Sequence, residues 1–354
     1  MKILVIGGTS GFIGTHVVRQ LAVNGHEVAV FHRGQTNADL PTSVRHIRGD
    51  RRQFSDFRGE FKQFEPQVVL DMYLRFEQDA ITLMQTFRGI TDRVVAISSQ
   101  DVYRTYGILW RRENTEPNIT PINEGAPLRS VLYPYRSIAN DEDDPKYNYD
   151  KIPIERIVMS DADLSGTVLR LPATYGIGDK QHRLFEYLKR MDDGRPIILL
   201  EQNEAQWRWT HGYVQNVADA IVLAVTDERA TNRIYNVGEE DALTRAEWVK
   251  RIGQAAGWRG EILAVPEDEL PEHLKGPTGY EHDLAVDTSR IREELGYKER
   301  VSREEALLKT VAWERANPPP EFNPKQFDYA AEDAVIEKLT KNNKISGVNG
   351  PNTG

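Results

Sequence analysis

The sequence predicts an α/β protein, a doubly wound parallel sheet followed by a smaller mixed α/β lobe. Three observations predict this. Short apolar runs recur with helix-length segments between them. A glycine-rich turn joins the first run to a helical stretch. After about residue 175 the regular alternation gives way to mixed elements.

Lys2-Ile-Leu-Val-Ile6 is a short apolar run closed at once by glycines, which predicts a strand buried on both faces. GGTSGFIG, residues 7–14, follows, and Ile13, Val17, Val18 and Leu21 then fall at helical spacing up to Gly25. Glu27–Phe31, Val44–Arg48, Gln67–Asp71 and Arg93–Ile97 supply four more strands, with a helix over Asp79–Phe87. Residues 104–146 are rich in Pro, Arg and acids and carry no period. They predict a long loop over the active site or a mobile surface excursion. A helix over Ile152–Ser160 and a strand from Gly166 to Pro172 return to the sheet. Beyond them we expect helices near 183–191 and 214–225 and strands at 197–200 and 233–237. These divisions give a dinucleotide domain over 1–175. A lobe over 176–317 partly returns to the sheet, and the family resemblance given below implies that it mainly binds substrate. The extension over 318–354 opens with Pro318-Pro-Pro320, after the last helix, and residues 342–354 read as disordered.

Composition excludes several classes. The chain has 354 residues without cysteine, so disulfides, thiolate catalysis and cysteine-held metals are absent, in keeping with a reducing cytoplasm. Its 45 basic and 54 acidic residues leave −9, a poor field for nucleic acid. No apolar run approaches the ~20 residues of a membrane span, and the eight histidines show no metal-ligand spacing.

Strand, glycine turn, helix and strand in succession predict a Rossmann dinucleotide site, a ligand-free glycine turn being the alternative. Gly8 allows the tight turn, Gly11 removes a Cβ where the pyrophosphate approaches, and Gly14 lets the helix pack on the strand. The candidate phosphate cradle is therefore Gly8, Ser10, Gly11, Phe12, Ile13 and Gly14, at a helix N-terminus.

The spacing Gly8-x-x-Gly11-x-x-Gly14, with GHEVAVFHRG, GDRR, AISSQDVY, YNYDK, LRLPATYG and RIYNVG in order, resembles the extended short-chain dehydrogenase/reductase superfamily. More narrowly, it resembles the NAD-dependent epimerase/dehydratase family, over about residues 1–315. The resemblance implies that the second strand ends on the position that reads the ribose. That position holds His32 and then Arg33, and a cation suits the 2′-phosphate, so NADP is expected over NAD. Arg33 as an ordinary solvated arginine is the alternative. Asp50 matches the adenine-binding position, with Arg51 beside it for the ring or the phosphate, although Gly-Asp is also a plain turn.

The same resemblance makes Ser99, Tyr147 and Lys151 the catalytic set, with Lys151 also on the nicotinamide ribose. The YxxxK spacing puts Tyr147 and Lys151 one helical turn apart. An ammonium about 5 Å from a phenol supplies roughly 3 kcal/mol at an effective dielectric of about 20, or about two pKa units. Gln100-Asp101 replaces the Asp-Glu pair of related dehydratases, which argues against dehydration while leaving Asp101 as a possible base. Arg208 sits one residue out of register with a sugar-nucleotide clamp, and Pro277 holds the other clamp position, with Lys275 nearby. Trp207, Trp209 and Tyr213 are core or stacking residues. His182 and His211 are cleft lining rather than ligands.

The expected activity is NAD(P)-dependent oxidoreduction or epimerisation of a small molecule, a sugar nucleotide or another hydroxy/keto substrate. The wording also resembles an atypical branch containing chloroplast stem-loop RNA-binding proteins. The alternative is thus a nucleic-acid binder, or a dinucleotide sensor without turnover. A homodimer is expected through the YxxxK helix, whose Ile152, Ile154, Ile157 and Val158 exceed what one face can hide.

Overall fold

A computed structural model describes residues 1–346 except Ser10, 36–38 and 277–278. Its centre is a parallel sheet of β1 (Lys2–Ile6), β2 (Glu27–His32), β3 (Arg45–Arg48), β4 (Val68–Asp71), β5 (Arg93–Ser99) and two later strands. Within this half lie α1 (Ile13–Val23), α2 (Arg58–Phe64), α3 (Glu77–Phe87) and α4 (Arg104–Leu109). α5 (Lys151–Ser160) leads to β6 (Ser165–Leu171), and then come β7 (Ala173–Tyr175), α6 (Phe185–Asp192), β8 (Ile197–Glu201) and α7 (Gln202–Gln206). β9 (His211–Tyr213), α8 (Val214–Thr226), β10 (Arg233–Asn236), α9 (Arg245–Ala256) and β11 (Glu261–Val265) follow. The chain closes with α10 (Ser289–Leu295), α11 (Arg303–Ala316) and α12 (Tyr329–Ser346).

The seven strands run in the order β10-β6-β5-β4-β1-β2-β3, and every pairing is parallel. β1 lies between β2 and β4, with Ile3 opposite both Val28 and Val68. Alternate residues of β1 therefore serve two cores. Ile3 and Val5 pack with Val17, Leu21 and Ile221 on the α1/α8 face. Leu4 and Ile6 pack with Phe31, Phe61, Leu83 and Ile154 on the other. Burial on both faces is why these strands read as unbroken apolar runs.

The later segments divide. α8 and β10 return to the main sheet, while the short pairs β8–β11 and β7–β9 form a separate layer with α6, α9 and α11. Several expectations need correcting. α4 forms inside the predicted loop 104–146, because its apolar Leu109 docks into a core with Tyr103, Trp207 and Leu284. α12 follows the proline run, where the last helix was expected to have ended, and it reaches Ser346 inside the segment read as disordered. Its helix rests on Val335, Ile336 and Leu339 packed against Leu199, Val265 and Leu270, a contact invisible in local composition. Finally, Ile152, Ile154 and Val158 are each at most 1% exposed within one chain while Ile157 is partly buried, so most of the apolar surplus assigned to a dimer face is already covered.

Candidate active site

The parallel sheet changes winding direction between β1 and β4, so the loops after their C-terminal ends splay apart and leave a crevice. The glycine turn occupies one wall. Gly8 and Gly11 take φ values of +82° and +86°. A Cβ on Gly14 would collide with the Gly8 backbone, which fixes how closely α1 can cross β1. Around the missing Cβ of Gly11, by contrast, nothing lies within 4 Å. Phe12 at the α1 N-cap makes no side-chain cap hydrogen bond; Thr15 N reaches the Phe12 carbonyl (3.1 Å), and the amides of Ile13 and Gly14 ahead of it carry no side-chain cap. Open space and uncapped amides fit a pyrophosphate. Ser10, part of the predicted cradle, lies outside the described residues.

At the end of β2, His32 Nδ1 accepts from Gly34 N (3.1 Å) and its Nε2 meets His46 Nδ1 at 2.8 Å. Burial, then His46 and Arg48, push the His32 pKa down and keep the ring neutral. Arg33 beside it is exposed. Asp50 caps the following turn through Arg52 N and grips the Arg52 side chain at 2.7 Å, a hydrogen bond that holds its carboxyl at about 2. Arg51 departs from expectation. Its guanidinium turns inward to Asp71 (2.7 Å) and Asp79 (3.2 Å), so it is not free for a ring or phosphate. Asp71 is fully buried at the end of β4 and draws the arginine in.

β5 delivers Ser99 to the crevice, where its Oγ accepts from Asp101 N at 3.2 Å. Lys151 opens α5, and its buried ammonium donates to the carbonyls of Leu74 and Ile97, the latter at 3.0 Å. Burial lowers its pKa to about 8, against the pull of Asp101 and Asp71.

Tyr147 does not join them. Asp150 is extended at the α5 N-cap, accepting from Ile152 N, so Tyr147 lies in a turn before the helix and not on a shared helical face. Its hydroxyl points to Glu142 (3.4 Å) on the exposed loop, and Arg136 covers its ring at 4.6 Å. Instead, the Lys151 ammonium stands 5.6 Å from the Tyr149 ring. The spacing sets Tyr149 off the Lys151 face and gives no role to Tyr135 or Tyr106, yet all three gather around Asp101. A signal was present: Pro153 needs a place in the first turn of a helix, and Asp150 is a strong N-cap residue, so both place the start at Lys151.

Below this layer, Glu155 joins α5 to the sheet through a buried pair with Arg170 (2.7 Å) and accepts from Ser98 Oγ at 2.5 Å. Trp207 and Tyr213 are core residues, at 3% and 0% exposure. His211 is buried and stacked on Trp248 at 4.1 Å, while His182 pairs with Glu314 at 2.7 Å. Arg208 is exposed and donates to the Ala242 carbonyl, Lys275 pairs with Glu272 (3.3 Å), and Pro277 lies outside the described residues. Among the described residues no helix is long and apolar enough to cross a membrane.

Comparison with known proteins gives three kinds of likeness. Residues 3–116 and 135–238 match the model of the NAD dependent epimerase/dehydratase family. Among curated relatives, 2′-dehydrokanamycin reductase of Streptomyces kanamyceticus is 26% identical over 85% of this chain and 79% of its own. The chloroplast stem-loop binding protein of 41 kDa b of Arabidopsis thaliana is 24% identical, covering 95% and 84%. Among solved structures, the UDP-glucose 4-epimerase of Thermotoga maritima with UDP-glucose superimposes with a TM-score of 0.64. It is 21% identical and covers 89% of this chain and 99% of that one. The Thermus thermophilus UDP-glucose 4-epimerase complexed with NAD gives 0.59 at 22% identity, over 90% and 100%.

Proposed function

Because the chain belongs to the NAD dependent epimerase/dehydratase family, we propose that it is an NAD(P)-dependent oxidoreductase or epimerase. Its substrate is a sugar nucleotide or a similar hydroxy/keto compound. The observation that supports this is that the open glycine turn after β1, Ser99 at the end of β5 and Lys151, bonded to the Ile97 carbonyl, all lie at the C-terminal edge of the same parallel sheet. Gly8, Gly11, Phe12, Ile13, Gly14, Arg33 and Asp50 would hold the dinucleotide, with Lys151 at its nicotinamide ribose. The bound nicotinamide supplies hydride exchange at a substrate carbon. Ser99 hydrogen-bonds the reacting oxygen, Lys151 places a positive charge beside it, and a tyrosine next to that ammonium moves the proton.

The cofactor preference is NADP. No acid stands at the end of β2, neutral His32 does not repel a phosphate, and Arg33 is exposed there to receive one. NAD is the cofactor named for the Thermus structure, so this preference rests on Arg33. Titrating NADPH and NADH against tryptophan fluorescence tests it. Arg33→Ala should weaken NADPH binding by about tenfold, the worth of one charge-assisted contact, and leave NADH unchanged. Equal affinity in the parent protein would defeat the preference.

A second reading is favoured by the likeness to the stem-loop binding protein. Against it stands the net charge of −9. A stem-loop RNA retained at moderate salt, with no dinucleotide bound, would make it the better account.

A further inference from the structure

We propose that His182 and Glu314 form a clasp that sets dinucleotide affinity from the second lobe, by holding the segment 176–183 against the back of the glycine turn. This rests on the dinucleotide site of the reading above and adds two positioning residues to it, which act through the backbone they hold.

The segment runs from the end of β7 towards α6 and touches the glycine turn through Gly178. A Cβ on Gly178 would stand 2.4 Å from the Gly11 carbonyl oxygen, and its φ is +89°. Glycine alone suits both the space and the backbone. The α-carbon side of Gly11 is open for a pyrophosphate, so Gly178 braces the turn from its carbonyl side. Phe12 and Ile13, next in the chain, pack into the core that holds Tyr175 and Leu184, the two residues flanking the segment.

The other end of the segment is tied to α11. His182 Nδ1 donates to Glu314 Oε2 at 2.7 Å, and the imidazole stacks on Trp313 with centroids 5.6 Å apart. Between the two ends, the buried Asp179 accepts from Gln181 N (3.0 Å) and Arg183 Nη1 (2.9 Å), while its carbonyl accepts from His182 N (3.0 Å). Gly178 and His182 are thus parts of one compact turn. Both partners of the clasp are unfavourable by themselves. His182 sits in the left-handed region at φ +48°, a conformation that costs a side-chain-bearing residue energy. Glu314 is 2% exposed, and among the described residues its Oε1 has no hydrogen-bond partner. Packing of α11 alone would select neither feature. Their union holds Gly178 on the turn.

With the clasp closed, the turn is in place before the ligand arrives. With it broken, the dinucleotide must order the turn and its brace as it binds, which lowers affinity. The pyrophosphate is common to both dinucleotides, so the clasp changes affinity without changing preference, whereas Arg33 changes preference.

The test follows tryptophan fluorescence of the full-length protein titrated with NADPH and with NADH, and amide hydrogen exchange of the ligand-free protein. Glu314→Ala should weaken both dinucleotides by about tenfold and speed exchange over 176–183. His182→Asn breaks the clasp from the other side with a residue at ease in the left-handed region, and should weaken both alike. The double variant should be no weaker than either single one, because the two residues act through one contact. Glu314→Gln keeps an acceptor for His182 and should recover affinity to within about threefold of the parent. Arg315→Ala removes a neighbouring tie of α11, to Asp192 (2.6 Å) and the Ala256 carbonyl (3.0 Å), and should leave affinity unchanged. Parent affinity or parent exchange in a folded Glu314→Ala or His182→Asn would overturn the clasp. So would an equal loss in Arg315→Ala, or a Glu314→Gln protein as weak as Glu314→Ala. A parent protein that binds neither dinucleotide would overturn the proposed function, and the clasp with it.

Discussion

Lys151 offers a stability measurement whose sign follows from its surroundings. Its side chain is buried, 7% exposed, and burial brings its pKa from 10.5 to about 8. Between those values the unfolded chain binds the proton and the folded chain does not. Stability therefore rises with pH across the window from about 8 to about 10.5. The difference of roughly 2.5 units is worth about 3 kcal/mol, carried as a penalty below the window and relieved above it. Lys151→Met removes the titration and leaves the Leu74 and Ile97 carbonyls without their donor. Its stability at neutral pH then depends on two opposed effects, but its pH dependence does not. Urea unfolding of both proteins at about pH 7 and about pH 10 should show the parent gaining about 2–3 kcal/mol more than the variant. Other groups titrate in both and cancel in the difference. Parallel stability curves would refute the argument, because they would mean that Lys151 keeps its ordinary affinity for the proton.

Two glycines should separate folding from binding. Gly14→Ala drives a methyl into the Gly8 backbone and should cost about 2–3 kcal/mol, seen as a lowered melting temperature. Gly11→Ala meets open space at φ +86°, so backbone strain of about 1–2 kcal/mol should be accompanied by at least about tenfold weaker dinucleotide binding. Equal affinity for the dinucleotide in parent and Gly11→Ala would remove the pyrophosphate from that turn. Glu332 on α12 is fully buried between Arg190 (2.9 Å) and His273 (3.1 Å). Glu332→Ala strands the Arg190 charge and should lower stability by about 3–5 kcal/mol in denaturant unfolding; an unchanged midpoint would show α12 to be detached in solution.

Local chemistry determined the sheet, the glycine turn and the family. An apolar run buried on both faces, a Gly-x-x-Gly-x-x-Gly turn and a helical period are each written within about fifteen contiguous residues, because they arise from backbone geometry and burial of near neighbours. The places of Ser99 at a strand end and Lys151 at a helix start were legible for the same reason, while the roles expected of them came from the family resemblance. Tertiary structure decided which tyrosine meets the lysine. The YxxxK spacing implies contact only if its four intervening steps are helical, and Asp150 ends that condition by capping α5 one residue before Lys151. It also decided where Arg51 goes, since the pull comes from Asp71, twenty residues away and buried. α12 was hidden likewise, because its core partners Leu199, Val265 and Leu270 lie outside any local window. Spacing along a chain reports what its own backbone can bring together; which charge is buried beside which side chain depends on strands and helices distant in sequence.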